Sequence, residues 1–321
     1  MAQERIVDEQ RQLDLFNSIL QELNAHGSLD DMVLIGGWTL KMYRLHYGDP
    51  RIPSKYTTDA DFLFRHPPRV KNSFPLTDYL HQLGFVETTA SLTKEMRYQH
   101  NLLEIDFLLP HIGSDENSAP VKIPGYGVQA TRLRYLDLAT KFTIKVEYRG
   151  ARITVPHPAA YTYLKYIVGD LPSRSKDKAQ KDIDTAKQMS EFLRADGKQM
   201  TMLHTIMEDC PDPWNEKFYR SLETHNNDFL RTVKDYRAEQ FVTRFMLENG
   251  IAHSFREQLL YAEAPIEALH FGKHREAIYR KTMEGLPSSH IPFYVNRYLL
   301  KDNGDTSVAD ILKAKNKNRE R

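Results

Sequence analysis

Two runs of the sequence set carboxylates into strand patterns that are otherwise apolar: TTDADFLF at residues 57–64 and NLLEIDFLLP at 101–110. Side chains two apart on a strand leave the same face, about 6.6 Å apart along the chain. Asp59 and Asp61 therefore share a face, and Ala60 and Phe62 take the other. Like charges this close are costly at a buried surface unless a cation lies between them. A divalent metal answers the problem most economically. Hard oxygen ligands at this spacing suit Mg²⁺, which keeps waters and draws further ligands from substrate phosphates. If the second run lies beside the first, Asp106 completes a three-carboxylate cluster, with Glu104 on its face as an alternative ligand. Three carboxylates can hold two metals ~4 Å apart, as in in-line nucleotidyl displacement. Asp106 would then be a general base or a metal bridge.

Gly36-Gly37 falls between an apolar run, 32–35, and a helical pattern, 38–47. A backbone without Cβ atoms approaches phosphate closely, and amides that open a helix favour an anion. Within that helix Leu40, Tyr43 and Leu45 are the candidate buried positions, and Trp38 reads as core packing at its start. An amphipathic helix is expected over 4–26 and a Pro-containing loop over 48–55. Strands are expected at 59–65, 85–89, 94–99 and 102–109, a helix near 75–83, and a turn at 125–127. FTIKVEYRGARITVP predicts a hairpin that turns at Arg149-Gly150. From about 157 the patterns are helical: 158–170, 179–195, 198–209, 214–223, 226–248 and 251–262. The expected organisation is an α/β domain over 1–156, a helical domain over 157–310, and a polar basic tail at 311–321.

Composition narrows the setting. The net charge of +1 demands no nucleic-acid partner by itself, although a local basic surface remains open. Cys210 stands alone, so no intrachain disulfide forms and a reducing cytoplasm is expected. No apolar run approaches the ~20 residues that span a bilayer, and the charged N-terminus has no signal-peptide core. His270 and His274 have metal-pair spacing but no third ligand, so they read as packing or surface histidines. No Gly-x-Ser-x-Gly or Walker-type run occurs.

The order Gly36-Gly37, Asp59-x-Asp61, Asp106 resembles the nucleotidyltransferase fold of the DNA polymerase β superfamily. KYTTDADFLF looks like the family's run into its Asp-x-Asp, with Lys55 and Thr57 as the preceding basic residue and threonine. YLKYIVGDLPSRSKDKAQKDIDTA is similar to the Lys…Arg…Lys-Asp pattern of bacterial stand-alone enzymes of the AbiEii type, the toxins of type IV toxin–antitoxin pairs. The resemblance covers roughly residues 30–190. It implies an α+β fold: a mixed sheet with flanking helices, followed by a helical C-terminal part. It implies that Gly36, Gly37 and Thr57 hold a triphosphate, and that Asp59, Asp61 and Asp106 hold Mg²⁺, two ions, with Mn²⁺ a substitute. Lys165, Arg174, Lys178 and Lys181 would face the NTP, and Asp182 would orient them or the nucleotide. The implied acceptor is a hydroxyl, the 3′ end of tRNA in the toxin-like reading, with an antitoxin protein as a partner. A small-molecule acceptor of the antibiotic type and a catalytically silent binding module are the alternatives. Three departures stand out: Trp38 follows the glycine pair where Ser or Thr is usual, the linker to Asp59 is long, and Thr185 replaces a further Asp. FYRSLETHNNDFLRTVKDYR and GKHREAIYRK are candidate basic aromatic surfaces for RNA.

Overall fold

The computed structural model describes residues 2–249 except 69, 90–95, 113–118 and 173. The chain forms two compact units, Met1–Gly169 with Ser173–Leu193, and Asp170–Pro172 with the chain from Arg194 onward.

The first unit opens with α1 (Ala2–Ala25) and a short 3₁₀ turn at Ser28–Asp30, separated by Gly27 in the left-handed region. β1 (Met32–Ile35), α2 (Gly37–Tyr47), β2 (Asp59–Phe64), α3 (Leu76–Gln82), β3 (Val86–Thr89), β4 (Met96–Gln99) and β5 (Glu104–Pro110) follow. Then come β6 (Val121–Lys122), β7 (Gln129–Leu133), α4 (Asp137–Lys141), β8 (Thr143–Tyr148), β9 (Ala151–Pro156), α5 (Pro158–Gly169) and α6 (Lys176–Arg194). The sheet runs β1-β2-β5-β4-β3, and β7 pairs with the C-terminal half of β5 and with β6. β2 and β5 are parallel, whereas β1, β4 and β3 run antiparallel to their neighbours. This is the mixed sheet with flanking helices that the sequence implies.

The alternation of β2 decides which face is core. Ala60, Phe62 and Phe64 are buried, as are Ile105, Phe107 and Leu109 on β5. Their rings form one cluster: Phe62 lies 6.0 Å from Phe107, and Tyr98 meets Phe107 edge-on at 5.5 Å. The other face of the same two strands carries the acids. β1 is an edge strand, yet all four residues are buried, because β9 packs against it. The β8–β9 hairpin turns at Arg149 and Gly150, both at positive φ, the pairing that matches strand twist in a two-residue loop.

The second unit holds α7 (Gly197–Asp209), α8 (Asp212–His225) and α9 (Asn227–Asn249). Asp196 caps α7 by accepting from the Lys198 amide at 2.9 Å. Leu203, Ile206, Phe218, Leu222, Phe229 and Val233 are buried. Phe218, Tyr219 and Phe229 are therefore core, and Arg237 is buried on the Tyr219 hydroxyl at 3.1 Å. Those rings are not available as a stacking surface, a correction to the sequence reading of this stretch. Leu45 is a second correction, since it is 53% exposed near the end of α2. β6, β7 and α4 were not anticipated. The expected helix at 251–262, His270, His274, GKHREAIYRK and the tail at 311–321 lie outside the described residues. No helix among the described residues is long and apolar enough to cross a membrane.

Candidate active site

Asp61 on β2 stands directly opposite Asp106 on β5, and Asp59 opposite Glu104. Neighbouring strands lie ~4.8 Å apart, so the register alone brings the three aspartates together on one face. Glu104 is turned to another task. It accepts from Arg97 on β4 at 2.5 Å and from Gln99 at 3.3 Å, and it does not line the cleft that Asp106 lines. The Arg97 guanidinium also approaches Asp106, at 3.8 Å, too far for a hydrogen bond.

A cleft of about 700 Å³ opens over this face. Gly36, Gly37, Thr57, Asp59, Asp61, Asp106, Lys165, Arg174, Lys178, Lys181 and Asp182 all line it, so the structure brings together every site residue expected from the sequence. The two glycines are required sterically. A Cβ on Gly36 would fall 2.0 Å from Asp61 Oδ2, and the residue sits at φ +72°, where side chains are strained. A Cβ on Gly37 would fall 2.8 Å from the Thr57 side chain. The turn from strand to helix is thus closed tightly against the acids. Thr57 Oγ1 in turn accepts from the Asp59 amide at 3.2 Å, fixing the entry to β2.

The cations come from the far wall. Asp182 on α6 is buried and binds Lys165 of α5 and, through two nitrogens at 3.0 and 2.5 Å, Arg174. Burial opposes the Lys165 charge, but Tyr161 and Asp182 outweigh it and hold the ammonium above its usual range. Lys178 and Lys181, in the first and second turns of α6, line the same cleft. Thr185, at the departure noted above, receives a hydrogen bond from Lys55 Nζ at 2.5 Å and bonds the Lys181 carbonyl at 2.6 Å. It anchors Lys55 beside the cleft. Arg97, Tyr161, Thr131 and Tyr56 also line the cleft and were missed in the sequence. Tyr161 lies one helical turn before Lys165, a spacing that places both on one face and carried the signal. Arg97 had no such signal, because its place depends on β4 pairing with β5.

Burial, then Asp59, raises Asp61 to about 6, and burial, then Asp61, raises Asp106 to about 7. The acids thus withstand ionisation as they stand. Among the described residues no group of three or more His, Cys, Asp or Glu side chains is drawn close enough to hold a metal ion as placed. The donor set still fits a hard cation. Asp106 Oδ1 is buried with no hydrogen-bond partner, and clustered carboxyls with raised pKa values are what a divalent ion would ionise and draw inward.

A family model for nucleotidyltransferases matches residues 15–208, and the chain belongs to that family. Among solved structures it is similar to an antigenic nucleotidyltransferase-like protein from Paracoccidioides brasiliensis, at 15% identity over 65% of this chain and 92% of that one, TM-score 0.30. It is similar to the antibiotic-resistance factor ANT(2'')-Ia at 12% identity over 68% and 98%, TM-score 0.36. A tRNA nucleotidyltransferase complexed with a primer tRNA and an incoming ATP analog aligns at 13% identity over 94% and 96%, TM-score 0.21. No curated protein matches this chain.

Proposed function

We propose that this nucleotidyltransferase is Mg²⁺-dependent and moves a nucleoside monophosphate from an NTP to a hydroxyl of an RNA acceptor, the 3′ end of a tRNA. The observation that supports the reading is the single cleft in which three strand aspartates face a wall of lysines and an arginine. Asp59 and Asp61, with Asp106 across from them, would hold Mg²⁺ or Mn²⁺, which when bound neutralises phosphate charge and lowers the pKa of the attacking hydroxyl. Gly36 and Gly37 let the triphosphate approach the start of α2, and Lys165, Arg174, Lys178 and Lys181 offset its remaining charge. Asp182 fixes two of those cations. The acceptor oxygen bonds to the α-phosphorus as the bond to the β-phosphate bridging oxygen breaks. Asp106 takes the hydroxyl proton, and pyrophosphate leaves. Six cationic side chains line the cleft against four aspartates, a balance that supports a polyanionic substrate once the aspartates hold metal.

The placement among stand-alone toxin-like enzymes, with an antitoxin partner and a cytoplasmic site of action, belongs to the same proposal and rests on the Lys165-to-Asp182 pattern and the lone cysteine. The test incubates the protein with Mg²⁺, each α-labelled NTP and total tRNA. Label is expected on tRNA with the native chain and ~10²–10³-fold less with Asp61→Ala, the scale of losing an essential electrostatic group. Transfer that survives Asp59→Ala and Asp61→Ala together would end this reading.

A further inference from the structure

A second cavity, of about 390 Å³, lies on the other side of the Lys55–Thr57 segment from the strand acids. It is formed by Gln12 and Leu13 of α1, Trp38, Lys41, Arg44 and Leu45 of α2, and that segment. Only Lys55, Tyr56 and Thr57 belong to both cavities, so the segment is a shared wall. Nothing in the transfer chemistry uses the remaining residues.

Three features give this cavity a chemistry. Lys41 and Arg44 are spaced i, i+3 on α2 and face it together. Neither forms an ion pair with a carboxylate among the described residues. Arg44 donates to the Ile52 carbonyl at 2.8 Å, and the Lys41 ammonium lies 5.2 Å from the Trp38 ring centroid. Glu9 is the one acidic side chain in the lining. Second, Trp38 is 3% exposed, and its buried indole N–H has no hydrogen-bond partner. Its ring is stacked on Phe16 at 3.7 Å, so it forms a fixed wall of the cavity and leaves that face unavailable for a base. Third, the rest of the lining is apolar or aromatic, Leu13, Leu45 and Tyr56, and the exposure of Leu45 is the rim of this cavity. The volume lies within the ~300–1,000 Å³ range of small-ligand sites.

We infer that this cavity binds a phosphorylated nucleoside unit of the acceptor, its phosphate on Lys41 and Arg44 and its base against Leu13, Leu45 and Tyr56, with the transfer cleft across the Lys55–Thr57 wall. The inference rests on the acceptor reading proposed above for that cleft. The same chemistry could be delivered by an RNA strand or by a phosphorylated small acceptor. Trp38 packs in the core on Phe16, as the sequence predicts, and its remaining edge lines this cavity.

Trp38 and Trp214 are the two tryptophans, so the full-length Trp214→Phe chain reports on Trp38 fluorescence alone. It is titrated with AMP, with a 5′-phosphorylated trinucleotide, with unphosphorylated adenosine and with total tRNA. The phosphorylated probes are expected to change Trp38 emission with Kd at least ~10-fold tighter than adenosine, and Lys41→Glu in that background is expected to weaken them ~10-fold or more while Mg²⁺·NTP affinity holds. Saturation by tRNA but not by AMP assigns the source to an RNA strand, and the reverse assigns it to a small acceptor; either supports the site. In labelling assays Lys41→Glu should raise the acceptor KM and leave the NTP KM unchanged. Labelling of tRNA with an unaltered KM in Lys41→Glu, or Trp38 emission indifferent to every probe, overturns the inference while leaving the transfer reading intact. A Lys41-dependent response to AMP without any labelled RNA keeps the site and removes the RNA reading.

Discussion

Gly36 and Asp61 form one unit at the residue scale, because the carboxyl oxygen fills the volume that any side chain at 36 would need. With φ at +72° and ψ at −149°, the backbone is also in a region reserved for glycine. Gly36→Ala is therefore expected to lower stability by at least ~1–3 kcal/mol and to abolish transfer by moving Asp61. Denaturant unfolding checks the first half. An unchanged midpoint would show that the strand and helix can part without cost. The acids themselves set a pH dependence. Asp61 at about 6 and Asp106 at about 7 lie above the ordinary 3.8, so the metal-free fold keeps protons that the unfolded chain has lost. Their effect on stability is then absent below about pH 4, grows more unfavourable as pH rises through the folded values, and levels off above about 7. In EDTA, Tm should fall more steeply from pH 5.5 to 8 in the native chain than in Asp106→Asn. Mg²⁺ should raise the native Tm more at pH 8 than at pH 5.5, since protons compete for the same oxygens. Thermal scans at those two pH values decide it, and a larger Mg²⁺ shift at pH 5.5 would contradict the assignment.

At the scale of elements, α5 and α6 are clamped together by one buried carboxylate. Asp182 binds Lys165 from α5 and Arg174 from the segment before α6, so its loss leaves two cations facing each other. Breaking a buried pair from one side costs ~3–5 kcal/mol. Arg174 is 32% exposed, so water offsets part of this and the lower end applies. Asp182→Ala should thus destabilise by ~3 kcal/mol and raise the NTP KM about tenfold, whereas Lys178→Ala should raise KM with little effect on Tm. Paired Tm and KM measurements separate the two. A normal KM in Asp182→Ala would mean that neither cation needs holding. These elements also show why the sequence could be read where it could. The aspartates are legible because two-residue alternation is a local property, and α5 and α6 because helical periodicity is. Arg97 and Thr131 are not, since they reach the cleft only through β4 and β7 flanking opposite halves of β5, a pairing no local pattern encodes. β7 itself, QATRL, is too polar to announce a strand. Leu45 misleads for the converse reason: apolar at helical spacing, it faces a cavity instead of the core.

For the whole molecule the balance of 44 basic against 43 acidic residues leaves a net charge of +1, so long-range attraction to a polyanion is weak. Among the described residues, the cations placed to meet RNA are gathered locally in the first unit, Lys41 and Arg44 on one side of the shared wall and the α5–α6 set on the other. Each single-strand phosphate neutralised contributes about −0.7 to the slope of log K against log salt. Three or four contacts give a slope of about −2 to −3, shallow beside the ~−10 of a duplex-binding repressor. Binding of a labelled single-stranded RNA measured from low to moderate salt should fall in that range, and Lys41→Gln should make it shallower by about 0.7. A slope near −10 would require an extended basic surface instead of a site that grips one strand end. A slope near zero would take the phosphates out of recognition and return the acceptor to a small neutral molecule.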